Sequence, residues 1–469
     1  MLLLAIESYP AKPHLEISGE VLLKTRATSH VEFCYVGGHL PWNENQDHFA
    51  FRRFFTNMKS RLDKFQKILS SHGVRVIEDP ILNIEMVIQI EDWAKSFRGD
   101  ILSLKNFSYK GYTLGLGVAS SLISKYRNPH IDTIKLADEV VDALISAAMV
   151  YEKSIQLIKS RRPDVVITFN GRLACSYPIV KAALHAGIKI RLHERGATFK
   201  KYEIFESSVH SLERLRERVI SFWNSSRDCE YAIAQADNFF KSRRGGDGIG
   251  WESFTAKQIR GHVIPKYGRR RVVYFSSSED EFAALDDGIV HKFSTTGQKG
   301  AIERLLKICK KIDLDLIIRV HPNTAGADQK EQEWWQALAN SGVEVVSPSA
   351  TIDSYALLDT ADIACTYGST MGVEAAYWGI PSILLGDSGY SGLGCCFEPK
   401  DDDELEGLLV DTPDQWNHVG CLQYGYYLST FGKEFEYYNP KSLFEGSFLG
   451  NKLPHLNYVG RFLKKLKNL

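Results

Sequence analysis

The stretch Asp353–Gly386, DSYALLDTADIACTYGSTMGVEAAYWGIPSILLG, decides the fold, together with IIRVHPN at Ile317–Asn323 just upstream. Its centre reads as consecutive β-strand, glycine-bearing turn and helix. The turn, Tyr367-Gly368-Ser369-Thr370, sets small hydroxyl residues where a helix begins. A helix start presents unpaired backbone N–H groups and a partial positive charge, which suits a phosphate. Glu374, one turn further in, is placed to reach ribose hydroxyls, so the segment predicts a nucleotide site.

Outward from that turn, Arg271–Phe275, Leu314–Val320, Val343–Val346, Ile363–Thr366 and Ser382–Leu385 read as strands. Gly300–Lys311, Glu331–Ser341, Ser354–Asp359 and Met371–Trp378 read as the helices between them, which completes a Rossmann-like unit. The first half alternates in the same way. Strands are expected at Leu2–Glu7, Val31–Val36, Pro163–Asn170 and Ile188–His193, and helices at His14–Arg26, Phe51–His72, Ile134–Ser160 and Tyr177–Ala186. Strands spaced by helices of this length imply parallel pairing through right-handed crossovers. Between Lys200 and Arg270 the pattern loosens; Lys241–Gly250 reads as a loop, and Gly261–Arg270 as an interdomain linker with Pro265 and Gly268 as breakers. The expected fold class is α/β, two Rossmann-like domains facing a cleft. The expected domains are 1–265, 266–410, and an aromatic-rich segment, 411–469, that packs back across both.

The whole-chain numbers agree with two cores, because 469 residues exceed one ordinary core. Lys plus Arg and Asp plus Glu both total 57, which argues against a nucleic-acid protein held by bulk charge. The eight cysteines show no C-x-x-C pair, which fits a reducing compartment; the adjacent Cys395-Cys396 reads as a loop or a reactive pair. The N-terminal MLLLAIESYP carries no basic leader, and no run reaches the ~20 apolar residues of a spanning helix. A cytoplasmic protein is expected, with peripheral contact to the inner membrane through the basic terminal GRFLKKLKNL, or else a solvated final helix there.

Four segments carry a family resemblance: YFSSSEDEF (Tyr274–Phe282), RVHP (Arg319–Pro322), SYALLDTADIACTYGSTMGVEAAYWGIP (Ser354–Pro381) and FGKEFEYYNP (Phe431–Pro440). In them the chain resembles bacterial polysaccharide-biosynthesis glycosyltransferases of the capsule and lipopolysaccharide type. It is similar also to the wider HP-motif set that includes Kdo and sialic acid transferases. The resemblance covers Arg271–Gly386 well and the N-terminal half poorly. It implies the GT-B architecture, a donor phosphate near His321, and phosphate binding by Ser369 and Thr370.

Each candidate residue also has a plainer reading. His321 ends a strand before proline, where it donates to a leaving phosphate or simply turns the chain. Ser369 and Thr370 cap a helix whether or not they bind an anion. Tyr367 packs on a base or sugar, or on the domain surface, and Glu374 contacts ribose or is a solvated carboxylate. Ser277, Ser278 and Glu279 follow the first strand of the second domain, as phosphate ligands or a helix cap. In the first domain Asn170-Gly171-Arg172 and His193-Glu194-Arg195 end neighbouring strands. Glu194 is the expected base for an acceptor hydroxyl and His193 the second choice, with a Glu194–Arg salt bridge as the alternative. Arg172 and Arg195 could hold an anionic sugar. Asp313-Leu-Asp315 lies at the wrong end of its strand for a metal site, and Asp401-Asp402-Asp403 fits a helix start, so no metal is required. Arg243-Arg244-Gly245-Gly246 wraps a phosphate or forms a surface loop.

The resulting expectation is a glycosyltransferase with no required cofactor. It takes a nucleotide sugar, CMP- or UDP-linked with CMP slightly favoured, and a saccharide or glycolipid acceptor; no nucleic acid is a partner. A nucleotide-sugar 2-epimerase of the same fold, or a non-catalytic polysaccharide-export component, is the alternative.

Overall fold

The computed structural model describes residues 1–44, 51–246, 258–278, 283–284, 293–294, 296–326, 329–413, 417–443 and 445–454, with backbone only for 51–57 and 325–326. Glu279 and the terminal GRFLKKLKNL lie outside the described residues.

The first domain runs β1 (Leu2–Glu7), α1 (His14–Thr25), β2 (His30–Tyr35), α2 (Phe51–Ser71), β3 (Arg75–Ile77), α3 (Ile84–Lys95), α4 (Ile101–Lys105), α5 (Leu114–Tyr126), α6 (Ala137–Arg161), β4 (Val165–Phe169), α7 (Tyr177–His185), β5 (Lys189–Arg195) and β6 (Lys201–Phe205). The apolar runs LLLAIE and VVITF are buried on both faces, as central strands of a parallel sheet must be. Alternate residues divide the core. Leu4, Ile6, Cys34 and Val166 enter one layer, while Leu3, Ala5, Phe33 and Ile167 enter the other. Strands β3-β2-β1-β4-β5 are parallel, and β6 returns antiparallel to β5.

Two helices follow, α8 (Leu212–Asn224) and α9 (Cys229–Gly245), capped by Ser211 and Asp228. Lys241–Gly245 is therefore the last turn and a half of a helix, not the loop its Arg- and Gly-rich composition suggests. Val219, Phe239 and Phe240 pack with Val373, Ala376 and Leu384 of the second domain. The two helices thus lie before position 265 in sequence but on the second domain in space.

The second domain runs β7 (Arg271–Phe275), α10 (Gly297–Lys311), β8 (Asp315–Arg319), α11 (Gln329–Asn340), β9 (Glu344–Val346), α12 (Ser354–Leu358), β10 (Ile363–Thr366), α13 (Met371–Tyr377), β11 (Ser382–Leu384), α14 (Asp402–Val410) and α15 (His418–Thr430). Its sheet is parallel in the order β11-β10-β7-β8-β9. Asp401 caps α14 by accepting the Glu404 N–H at 2.9 Å, which accounts for the acidic run there. The chain then crosses back. β12 (Lys433–Glu434) pairs with β6, and the hairpin of β13 (Tyr438–Pro440) and β14 (Gly446–Phe448) buries Tyr438 and Phe448 in the first-domain core. Two Rossmann-like sheets with helices on both faces are the GT-B class of architecture. Among the described residues no helix is long and apolar enough to cross a membrane.

Candidate functional site

In the second sheet β7 leads to β8 and β9 on one side, and β10 then returns to β7's other side. That reversal is a topological switch point, and ligands of open α/β sheets bind beyond the strand ends there. Phe275 is in register with both Arg319 and Thr366, so three loops leave the sheet at one level. They carry Ser276-Ser277-Ser278, His321-Pro322-Asn323 and Tyr367-Gly368-Ser369-Thr370.

Hydrogen bonds tie the first two loops. Ser276 Oγ accepts the His321 N–H at 2.8 Å, and Asn323 Nδ2 donates to Ser278 Oγ at 3.1 Å. His321 Nδ1 accepts the Asn323 N–H at 3.1 Å, so Nε2 carries the ring proton. The Ser277 backbone is held by Gln298, whose Oε1 accepts its N–H at 2.6 Å. The Ser277 hydroxyl is different: it is buried and, among the described residues, has no hydrogen-bond partner. A Cβ on Gly368 would lie 3.7 Å from that hydroxyl and 2.8 Å from the Asp387 carbonyl oxygen, so only glycine lets the turn sit this close.

The third loop departs from expectation. Thr366 Oγ1 accepts the N–H groups of Gly368 (3.3 Å) and Ser369 (2.9 Å), and Ser369 Oγ accepts that of Met371 (3.3 Å). The turn's amides are mostly spent on the turn itself. Tyr367 belongs to the core with Ile363, Cys365 and Leu385, which corrects its reading as a stacking platform. Glu374 is fully buried, not solvated. Its Oε1 accepts from Arg243 Nε at 2.9 Å and its Oε2 from the Tyr355 hydroxyl, while Arg243 Nη2 donates to Thr370 Oγ1 at 3.1 Å. Burial and the Glu374 charge push the Tyr355 phenol far up, so it stays a donor.

The first sheet has its own switch point, between β1 and β4. Asn170 follows β4 in the left-handed region (φ 55°), a conformation that costs energy and clusters at functional sites. Its Nδ2 donates to Glu194 Oε2 at 2.8 Å and lies 3.1 Å from His210 Nε2. Glu194 Oε1 accepts the Arg195 N–H at 2.9 Å and lies 3.9 Å from His14 Nδ1, a buried atom without a hydrogen-bond partner among the described residues. His14 packs against Phe169 with the rings tilted by 43° and their centroids 3.8 Å apart. Burial, then Arg195, His193 and Arg61, hold its pKa well below the usual histidine value. Burial and Arg172 bring His210 down to about 3. Both rings are neutral at pH 7. His193 does not join them: it is fully buried, with Nε2 2.6 Å from Glu7 Oε1 and 2.9 Å from Ser18 Oγ, which removes it as a base. Sequence reading missed His14 and His210. A histidine directly after Pro13 at a helix start was the available signal for the first; the second had none.

Helix α8 joins the two clusters. His210, one residue before its cap, touches Asn170, while Arg216 donates to Asp387 Oδ1 at 2.8 Å beside the Gly368 turn. Six residues separate them, about 9 Å along a helix. The two strand-end clusters therefore face one cleft.

The acids at the other end of the second sheet are occupied. Asp313 pairs with Arg269 (3.1 Å) and Asp315 with Arg271 (2.7 Å), beside a cavity of about 480 Å3 remote from the switch point.

No protein-family model and no curated sequence matches the chain. Among solved structures it is similar to KpsC from Thermosulfurimonas dismutans, described as a β-Kdo 2,4 transferase: 15% identity, 56% of this chain, 79% of that chain, TM-score 0.36. It is similar also to a UDP-GlcNAc 2-epimerase of Methanocaldococcus jannaschii (12%, 90% and 98%, TM-score 0.29) and to MurG of Acinetobacter baumannii (10%, 94% and 96%, TM-score 0.27). The fold assignment stands on strand order and register, not on likenesses of this size.

Proposed function

We propose that the protein is a glycosyltransferase that moves a sugar from a nucleotide-activated donor, CMP- or UDP-linked, to a saccharide or glycolipid acceptor in bacterial surface-polysaccharide synthesis. The observation that carries this reading is the buried Ser277 hydroxyl, unpartnered among the described residues, at the second switch point between the His321 loop and the Gly368 turn. A buried hydroxyl is normally satisfied, and one left open beside strand ends suits a ligand oxygen.

In this reading the donor phosphate lies against Ser277, Ser278 and Ser369, with His321 donating from Nε2 as charge develops on the leaving oxygen. Glu194 accepts the acceptor hydroxyl's proton. The acceptor oxygen bonds to the sugar's anomeric carbon, and the carbon–oxygen bond to phosphate breaks with its electron pair leaving on the nucleotide. Asn170 orients Glu194, and neutral His14 beside it spares the carboxylate a permanent ion pair.

A thermal-shift panel of CMP, UDP, GDP and TDP, followed by transfer assays with the matching sugars, tests the reading. One nucleotide should raise the melting temperature. His321→Ala and Glu194→Gln should each cut kcat by about 100-fold or more, as loss of a charge-stabilising donor or a general base does. Wild-type rates in both variants would refute the site. Sugar inverted at C2 without acceptor would point instead to an epimerase using the Glu194–His14 pair. No binding by any nucleotide would leave a non-catalytic component.

A further inference from the structure

The Gly368–Thr370 turn was expected to bind phosphate through backbone amides, but those of Gly368, Ser369 and Met371 are already engaged by Thr366 and Ser369. Helix α13 has only seven residues, so little dipole is focused at its start, and the Thr370 side chain accepts no capping bond from the helix's own N–H groups. A phosphate at this switch point needs its positive charge from a side chain. Among the described residues, Arg243 on α9 is a cation that touches the turn, through Thr370.

The position of Arg243 is built. Glu374, wholly buried, accepts from its Nε, and Thr370 Oγ1 accepts from Nη2. The ring of Phe239 lies 5.5 Å from the guanidinium carbon. A guanidinium has five N–H groups. Two of those groups donate to Glu374 and Thr370, the Tyr355 hydroxyl also lies within hydrogen-bonding reach of the guanidinium, and the side chain is still 37% exposed. Ser277, buried and unpartnered, lies against Gly368 of the same turn. An oriented fork of open N–H groups and an open hydroxyl on one turn match the oxygens of a phosphate group.

We propose that Arg243 and Ser277 form the anion subsite for the diphosphate or monophosphate of the nucleotide, and that Glu374 is a positioning residue that aims Arg243 and does not contact ribose. This rests on the nucleotide-sugar reading above and deepens it. Two helices outside the second sheet's own crossovers thereby belong to the donor site, because α9 carries the charge.

The test measures, by calorimetry on the full-length protein, affinities for a nucleoside, its diphosphate and pyrophosphate. Arg243→Lys keeps a charge for Glu374 but loses the fork. Arg243→Met with Glu374→Gln removes the pair without leaving a buried charge, and melting curves confirm that both variants fold. The wild type is expected to prefer the diphosphate over the nucleoside by at least 10-fold. Arg243→Lys should reduce that ratio several-fold and the double variant should abolish it, with nucleoside affinity kept in both. A full preference in either folded variant overturns the proposal, as does a wild type that prefers neither diphosphate nor pyrophosphate. Arg243-dependent pyrophosphate binding without transfer from any nucleotide sugar would uphold the subsite and refute the transferase reading. Normal transfer in variants with an unchanged ratio would do the reverse.

Discussion

Replacing Ser277 with alanine should move stability and binding in opposite directions. Ser277 is 7% exposed and its hydroxyl has no partner among the described residues, whereas the residue's backbone N–H is held by Gln298 and survives the change. A buried polar group without a partner costs about 1–3 kcal/mol, so removing it should return about 1 kcal/mol after the small void is counted. For a domain of this size that raises the melting temperature by roughly 2–4 °C. With ligand the sign reverses. A hydrogen bond from the hydroxyl to a charged phosphate oxygen is worth about 1.5–3 kcal/mol, so affinity for the nucleotide should fall roughly 10- to 150-fold. Melting curves of the free protein and calorimetric titration of the nucleotide read the two effects separately. A destabilised Ser277→Ala protein would show that the hydroxyl has an internal structural role. Unchanged affinity would show that no ligand oxygen meets it. Either result refutes the assignment.

Acid should weaken the fold through His14 and His210, whose folded pKa values lie below the unfolded 6.5. Their neutral forms cost nothing above pH 6.5, and stability is lost as pH falls from 6.5 toward 3 because the unfolded chain binds more protons there. The slope is at most about 1.4 kcal/mol per pH unit for each group. Melting temperatures at pH 7.5, 6.0 and 5.0 should fall less steeply in His210→Gln; parallel slopes would exclude the histidine. In the first-domain core, Arg61 Nη2 meets both Glu16 oxygens at 2.7 Å, and both side chains are 1% exposed. Arg61→Met should cost about 3–5 kcal/mol in urea unfolding, because Glu16 keeps a buried charge. Adding Glu16→Leu should recover most of that loss, short of the bond from Arg61 Nε to the Pro10 carbonyl.

What could be read from sequence was the local periodicity. Continuous apolar runs such as LLLAIE and VVITF, and the strand–turn–helix at Ile363–Tyr377, specify parallel strands and crossovers because the needed signals lie within a few residues. The parity of a strand also held information left unused. Ile363, Cys365 and Tyr367 recur at period two, which puts Tyr367 on the core face with the others. The same reasoning separates His193, buried on Glu7, from Glu194 beside Asn170. What could not be read depends on partners far apart in the chain. Glu374 looks like a surface carboxylate until α9 delivers Arg243 from 131 residues upstream, and Arg243 looks like part of a loop until Asp228 is seen capping its helix. His14 gains its meaning from Glu194, on a strand 180 residues later.

These long-range contacts also define how the two halves can move. The chain passes between domains twice, after β6 and before β12, and those strands are paired with each other. Lys201 Nζ donates to the Thr430 carbonyl at 2.5 Å and Ala197 N–H to that of Phe431 at 3.0 Å, so the passages are fastened side by side. A pair of adjacent crossings acts as one axis, and domain rotation about it leaves the contacts at the axis nearly unchanged while groups further out travel most. His210 sits two residues before α8, at the end of the first crossing, and Arg216 fixes that helix to Asp387. The Asn170–His210 contact, close to the axis, is therefore kept as the domains rotate. It couples the strained Asn170 that orients Glu194 to the helix braced against the Gly368 turn. In the proposed reaction, closure of the cleft would thus reach Glu194 through α8 and Asn170.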